Sequence, residues 1–287
     1  MDVLVAGGAG FVGRPLCRVL DERGHAVTAA SRSPDADGLP AGVETVAMDV
    51  TEPDLTDAVA GHDAVVNLVA LPSHVQPREQ THEAVHRDGT AHLLQASAET
   101  GVERFVQLSG LGVDSGVETA YFRAKREAER LVRESSLDRV IYRPSVVFGD
   151  GCAFLPFLRR IATPWVAALP GGGRMRIQPI WVGDLAPMIA DGVTGDEHVG
   201  ETCELGGPER LTLAETVRQV AGSRVVLPIP MGVAAVGAAL AEAVPGVPFG
   251  RDQYRVMGLD NTVADNDVTA FGVTESQLRT LGAYLSK

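Results

Sequence analysis

A short apolar run that stops at evenly spaced glycines and restarts as a helix constrains this chain more than any other stretch. Residues 3–13 read VLVAGGAGFVG. Val3, Leu4 and Val5 have the pattern of a buried strand, and Gly7, Gly10 and Gly13 follow at three-residue spacing, a dinucleotide-binding turn in outline. Gly7 permits the tight turn, Gly10 a close approach of backbone to a pyrophosphate, and Gly13 the packing of helix on strand. The phosphates then lie on the N–H groups at the start of a helix expected from Phe11 to Leu20, with Phe11 and Val12 against the ligand.

The strands that follow extend this reading. His25 to Ala30 is a second strand ending at Ser31-Arg32-Ser33. A chain that reads the free ribose of NAD carries Asp or Glu near that point; here a hydroxyl and a guanidinium stand instead. Arg32 can fork onto a 2′-phosphate, which favours NADP(H) and leaves NAD(H) open, while a solvated loop arginine is the plain alternative. Val43 to Met48 is a third strand, and in Asp49-Val50 the carboxylate can meet an adenine amino group. After a short helix, Asp54 to Ala60, the apolar run Ala64 to Val69 fits a central parallel strand covered on both faces. Its end, Leu68-Val69-Ala70, is expected along the coenzyme at the carboxyl edge of the sheet. Phe105 to Leu108 is the fifth strand and delivers Ser109 to that edge. Arg139 to Val147 is the sixth, with Pro144 and Ser145 expected at the nicotinamide end.

The catalytic candidates are Tyr121 and Lys125, four apart in AYFRAKREAERLV, a segment of strong helix formers. That spacing puts both side chains on one helix face. The chain carries 23 Arg and two Lys, and Lys125 is its single internal lysine. A neighbouring ammonium stabilises a phenolate, so it is expected to bring Tyr121 closer to use as an acid or base. A compact ammonium also bonds ribose hydroxyls with a geometry that a planar guanidinium does not share.

Together the GxxGxxG turn, the Y-x-x-x-K pair and Arg-Pro-Ser-Val-Val-Phe-Gly at 143–149 resemble the extended or atypical short-chain dehydrogenases/reductases, the NAD-dependent epimerase/dehydratase-like group. GVERFVQLS (101–109), YFRAK (121–125), QPIWVGDLA (178–186) and LPIPMGVAAVGAALAE (227–242) are similar to the branch of the 39 kDa accessory subunit of respiratory complex I. The resemblance implies a pyridine nucleotide in the first domain, Tyr121 as proton donor or acceptor, Lys125 on the ribose and hydride transfer at nicotinamide C4. It also implies a substrate-orienting hydroxyl at position 110. That residue is Gly110, and Ser109, kept as a catalytic candidate, stands one step early.

The fold class expected is α/β, a Rossmann-type doubly wound parallel sheet with a smaller C-terminal substrate-side domain. Residues 1–150 form the NADP-binding domain, 174–192 return to it, and 151–287 make the smaller substrate or partner domain. In that second half the pattern predicts a helix from Leu155 to Ile161, a return strand from Arg176 to Trp181 and a helix from Gly183-Asp184 through Ile189, capped by Asp184. Glu201 to Leu205 and a helix from Thr212 or Leu213 to Ala221 are assigned to the smaller domain, and Glu275 to Leu285 reads as a closing amphipathic helix. Residues 225–248 contain no charge except Glu242. They read as a buried cap helix, a quinone or lipid contact, or a partner face, and so leave open a peripheral membrane or respiratory-complex contact.

Other features narrow the function class. His82-Glu-Ala-Val-His86 fits H-E-x-x-H, yet it lies within alternating strands and helices; a helix with solvated or satisfied histidines is expected, and no metal. Cys17, Cys152 and Cys203 are odd in number and without a C-x-x-C pair, as for small buried hydrophobes. A net charge of −12 makes nucleic acid and anionic lipid surfaces poor partners for the molecule as a whole, and a small-molecule substrate is expected. The first strand begins too early for a cleaved signal peptide, so a cytoplasmic protein is expected, with peripheral contact at the inner face of the cell membrane as an open addition.

Overall fold

The computed structural model describes residues 1–71, 80–241 and 251–286. Its first half alternates strand and helix: β1 (Asp2–Ala6), α1 (Gly13–Glu22), β2 (Ala26–Ser31), β3 (Glu44–Ala47), α2 (Thr56–Val59), β4 (Ala64–Asn67), a π-helical segment (Glu83–Asp88) running into α3 (Gly89–Thr100), β5 (Arg104–Leu108), α4 (Ala120–Glu134) and β6 (Asp138–Pro144). The second half carries β7 (Val147–Phe148), α5 (Phe154–Ile161), β8 (Val166–Pro170), β9 (Arg176–Ile177), β10 (Ile180–Trp181), α6 (Val182–Thr194), β11 (Thr202–Leu205), β12 (Leu211–Thr212), α7 (Leu213–Ala221), β13 (Val225–Ile229), α8 (Met231–Ala241), α9 (Arg251–Val256) and α10 (Leu281–Leu285).

The main sheet has seven strands in the order β11-β6-β5-β4-β1-β2-β3, all pairings parallel. Alternate residues of each strand feed opposite cores. Val3, Val5, Val66 and Val106 join Leu16, Leu20 and Ile189 on the α1–α6 side. Leu4, Val65, Phe105 and Ile141 join Leu55, Leu93 and Val132 on the α2–α4 side. This two-sided burial is the reason the strands read as continuous apolar runs. The order reverses between β1 and β4, which opens a crevice above their carboxyl ends.

Several expected elements differ. Thr202–Leu205 closes the main sheet beside β6, Leu205 opposite Pro144, and so does not belong to the smaller domain; its alternate residues Cys203 and Leu205 bury under α6, as an edge strand requires. The sixth strand stops at Pro144, and Val147–Phe148 pairs instead with β10. The return strand breaks in two at Gln178-Pro179, because Pro179 has no N–H to give and Gln178 turns inward to the Gly207 carbonyl (2.9 Å). The closing helix splits into a 3₁₀ turn (Glu275–Gln277) and α10, since the Arg279 N–H is drawn out to the Asp184 carboxylate (2.7 Å). Asp184 therefore ties down the C-terminal segment and makes no cap bond on α6, whose N-cap is Trp181.

The cysteines are buried and free. Among the described residues no helix is long and apolar enough to cross a membrane. The segment beginning at 225 forms β13 and α8 rather than one buried cap helix, and residues 242–248 lie outside the described residues.

Candidate coenzyme groove and active site

The glycine turn is locked by backbone contacts that admit no side chain. Gly7 has φ +84°, and a Cβ on Gly13 would stand 2.2 Å from the Gly7 carbonyl oxygen and 2.5 Å from that of Gly8. A Cβ on Gly10 would stand 3.0 Å from the same Gly7 oxygen. The Gly7 N–H donates to Ala30 of β2 and the Leu68 N–H to Ala6 of β1, so the turn is stitched to its neighbours on both sides.

Above it lies a groove of about 700 Å³, lined by Gly7, residues 9–13, Ser31, Arg32, Asp49, Val50 and residues 68–70. It runs from the end of β2 to Leu108 at the end of β5, three strand spacings or ~14 Å across the sheet. The first turn of α1 has no acidic side chain, which leaves its N–H groups and dipole available to an anion. The residues therefore fit a dinucleotide. Buried Asn67 shapes the Leu68–Ala70 turn by accepting the Val69 N–H, while its amide donates to Thr90 and Gln107 (3.1 Å each). Asp49 lines the groove but also accepts from the Thr51 N–H and hydroxyl. The Ser31 hydroxyl is held by its own loop, donating to the Ser33 carbonyl.

At the β2 end two guanidinium groups share the groove wall. Arg32 donates to Gln80 (2.8 Å), and Arg14 pairs with Asp35 (3.0 Å). Sequence reasoning missed Arg14, although a basic residue in the first turn of a helix, where acids are favoured, was the available signal. Leu71, directly after the expected Leu68-Val69-Ala70 run, was missed, as were Gln80, Val85 and Gly151, which reach the groove from later in the chain.

The other end is built by α4. Thr119 caps the helix by accepting the Phe122 N–H, and Tyr121 and Lys125 share the face turned to the end of β5. Lys125 Nζ donates to the carbonyl of Leu108, itself a groove residue, at 2.8 Å. A Cβ at Gly110 would lie 3.2 Å from the Tyr121 hydroxyl oxygen. Position 110, not 109, thus faces the phenol, and it offers only backbone. The Ser109 hydroxyl is buried on the other side, near Glu129 and without a hydrogen bond of good geometry.

The expected help from the ammonium is not there. Burial pushes the Tyr121 phenol up to about 12 and draws the Lys125 ammonium down to about 8, with Glu129 opposing the latter. Lys125 directs its charge to Leu108 and Glu129 rather than to Tyr121. Glu129 is fully buried; burial opposes its charge, but Arg143, bound through Nε (2.9 Å) and Nη2 (2.6 Å), holds the carboxyl below its ordinary range.

Two other expectations change. His82 and His86 are neither solvated nor satisfied: both are buried, stacked on each other at 5.6 Å, and meet the Tyr121 ring edge-on at 5.6 and 5.5 Å. Nδ1 of His82 and both ring nitrogens of His86 lack a hydrogen bond of good geometry, the Leu71 backbone making a weak approach to His86. Burial, then the Lys125 charge, keeps His86 far below its ordinary pKa. Among the described residues they join no set of three clustered metal-ligand side chains. Pro144 and Ser145 do not line the groove. The Ser145 hydroxyl lies 2.8 Å from the Asn261 carbonyl and 2.7 Å from its Oδ1, and the Pro144 carbonyl takes the Leu111 N–H.

A family model described as NAD(P)H-binding matches residues 7–151, half of the chain and the whole of this groove floor. The chain belongs to the NAD(P)H-binding, extended short-chain dehydrogenase/reductase family. Among relatives of this family, 2-alkyl-3-oxoalkanoate reductase of Stenotrophomonas maltophilia is 31% identical over 247 residues, 77% of this chain and 74% of that protein. NADH dehydrogenase [ubiquinone] 1 alpha subcomplex subunit 9 of Rattus norvegicus is 30% identical over 179 residues, 61% of this chain; the match spans about half (46%) of that relative's length. A short-chain dehydrogenase/reductase superfamily protein from Agrobacterium tumefaciens, solved with bound NAD, superposes with a TM-score of 0.66 at 24% identity, over 80% of this chain and 86% of that one.

Proposed function

We propose that this chain is an NADP(H)-preferring oxidoreductase that interconverts a carbonyl and an alcohol on a small molecule, sugar-like substrates included. The observation that carries the reading is the placement of Tyr121 and Lys125 at the β5 end of a groove whose β2 end holds Arg14 and Arg32. Two guanidinium groups stand at the end of β2 against one carboxylate, Asp35, which is already paired with Arg14, and this balance favours a 2′-phosphate over a free ribose. The bound nucleotide supplies the hydride. Tyr121, whose phenol burial holds in its protonated form, donates a proton to the carbonyl oxygen in the reductive direction and takes it back from the alcohol in the reverse one. Lys125, bonded to the groove residue Leu108, would hold a ribose hydroxyl of the bound nucleotide. The Stenotrophomonas relative's name as an oxoalkanoate reductase supports a carbonyl substrate.

The test is a Tyr121→Phe variant assayed with NADPH and a panel of 3-oxoalkanoates and small ketones. Turnover is expected to fall by about 100-fold or more while NADPH affinity holds.

One observation favours a second reading, a non-catalytic NADP(H)-binding accessory protein of a respiratory or quinone-linked membrane complex. The phenol faces bare backbone at Gly110 and is flanked by two buried imidazoles, so the orienting hydroxyl is missing. The rat relative's name as a subunit of NADH dehydrogenase supports it. On that reading the wild type has no turnover to lose and copurifies with a membrane partner.

A further inference from the structure

The acidity of this chain is not evenly spread. Residues 151–183 and 216–241 carry Arg159, Arg160, Arg174, Arg176, Arg218 and Arg224 and no Asp or Glu, within a chain of net charge −12. All six arginines are exposed. The same stretches hold a concentration of exposed apolar side chains: Trp165 (64%), Leu227 (50%), Val225 (48%) and, on α8, Val233 (61%) and Val236 (62%).

The geometry joins several of these into one face. β8 and β13 form a two-stranded parallel ribbon with Val166 opposite Val225 and Ala168 opposite Leu227. Directly opposed partners point to the same side. These four are exposed, whereas Ala167 and Leu169 of the intervening positions are buried against Leu158 and Val217. At one end of the ribbon, Trp165 and Arg224 adjoin through the Arg224 N–H bond to Pro164 and the Val225 N–H bond to Trp165, and the guanidinium stands 4.9 Å over the indole. Pro230 then leads straight into α8.

We infer that this face, the 161–165 turn with the outer side of the β8–β13 ribbon, docks on a bilayer surface carrying anionic headgroups. An indole with a guanidinium beside it suits the headgroup level, where an apolar body and a polar tip are both satisfied. The aliphatic side chains enter the acyl boundary, and Arg224 beside Trp165 and exposed Arg160 next to the 161–165 turn meet the phosphates. A second copy of this chain is the poorer occupant. A two-fold interface through this face would bring the arginines of both copies together with no Asp or Glu from these stretches to pair with them. Strand-to-strand pairing is blunted as well, because β13 carries Pro228 and the start of β8 is already bonded to Thr163. The inference is independent of the proposed catalysis.

The test is flotation of the full chain with phosphatidylcholine vesicles, with and without about one third phosphatidylglycerol, at low and high salt. Binding is expected to the anionic vesicles only and to weaken with salt. Arg160→Ala and Arg224→Ala are each expected to weaken it about fivefold, and Trp165→Ser about tenfold, with thermal unfolding by circular dichroism unchanged. Absence of vesicle binding overturns the proposal, as does equal binding to both vesicle types or binding that none of these exposed-site variants alters. A dimer in sedimentation velocity that the same variants dissociate, with no vesicle binding, replaces it with self-association.

Discussion

The proposed preference for a 2′-phosphate rests on Arg32, and removal of its guanidinium has a calculable effect. In the structure the guanidinium already reaches across the groove mouth and donates a single neutral hydrogen bond, 2.8 Å long, to Gln80. Binding of a phosphate replaces that bond with a charged, forked one. A hydrogen bond to a charged group contributes ~1.5–3 kcal/mol net, and exposure of the site places this one toward the lower bound. Arg32→Ala should therefore weaken NADPH by about 10- to 30-fold, since 1.4 kcal/mol is about a factor of ten. NADH has nothing for the guanidinium to grip and should change less than about twofold. Raising salt should shrink the wild-type preference, because charges at a groove mouth are screened over about 8–10 Å. Titration of both coenzymes into both proteins by intrinsic fluorescence or calorimetry decides it. Equal NADPH affinity in the two proteins refutes phosphate recognition by Arg32; a parallel loss of NADH affinity refutes its specificity.

Gly110→Ser restores a hydroxyl opposite Tyr121; the backbone there is not in the left-handed region, so turnover should rise about fivefold, one net hydrogen bond, while Gly110→Ala gives no rise. A rise in both variants would sink the idea. Glu129→Ala leaves Arg143 as a buried cation without its principal partner and should cost ~3–5 kcal/mol in chemical unfolding; a loss below about 1 kcal/mol would mean that Asp114 and Glu204 suffice. For Lys125 the sign follows from a folded pKa drawn down by burial to about 8. Below that pH the lysine is charged in both states and burial is penalised in full; from there up to ~10.5 only the unfolded chain holds the proton, so stability contributed at this site rises with pH. Lys125→Met should therefore stabilise most at neutral pH and least near pH ~10.5, read from urea midpoints across the range; a constant difference would place the charge outside the low-dielectric interior.

How much of this was legible in the sequence depends on how far apart the contributing residues lie. The glycine turn could be read because its constraint is internal: a Cβ on Gly13 collides with the carbonyl oxygens of Gly7 and Gly8, so the residue types alone dictate the geometry. The Tyr121–Lys125 face could be read because helix periodicity fixes it. Ser145 could not, since the hydroxyl is claimed by Asn261, 116 positions away. The edge strand Thr202–Leu205 escaped for the same reason: four residues of alternating burial fit a small lobe as well as they fit a sheet edge, and only the pairing with β6 decides.

The same distinction separates the two halves of the site. The coenzyme half is assembled almost wholly from consecutive elements before residue 71, each ending at the carboxyl edge of its strand, and there the expected residues line the groove. The proposed substrate half is assembled across the chain: Gly110 after β5, Tyr121 on α4, His82 just before the π-helical segment and His86 within it. The departure at position 110 was visible in the sequence, but its consequence was not. With the phenol facing bare backbone at Gly110 and two buried imidazoles against its ring, His82 and His86 are the polar side chains of the described residues that flank the ring of Tyr121. Substrate selection should therefore differ from what a serine at position 110 would give, even with the same coenzyme groove.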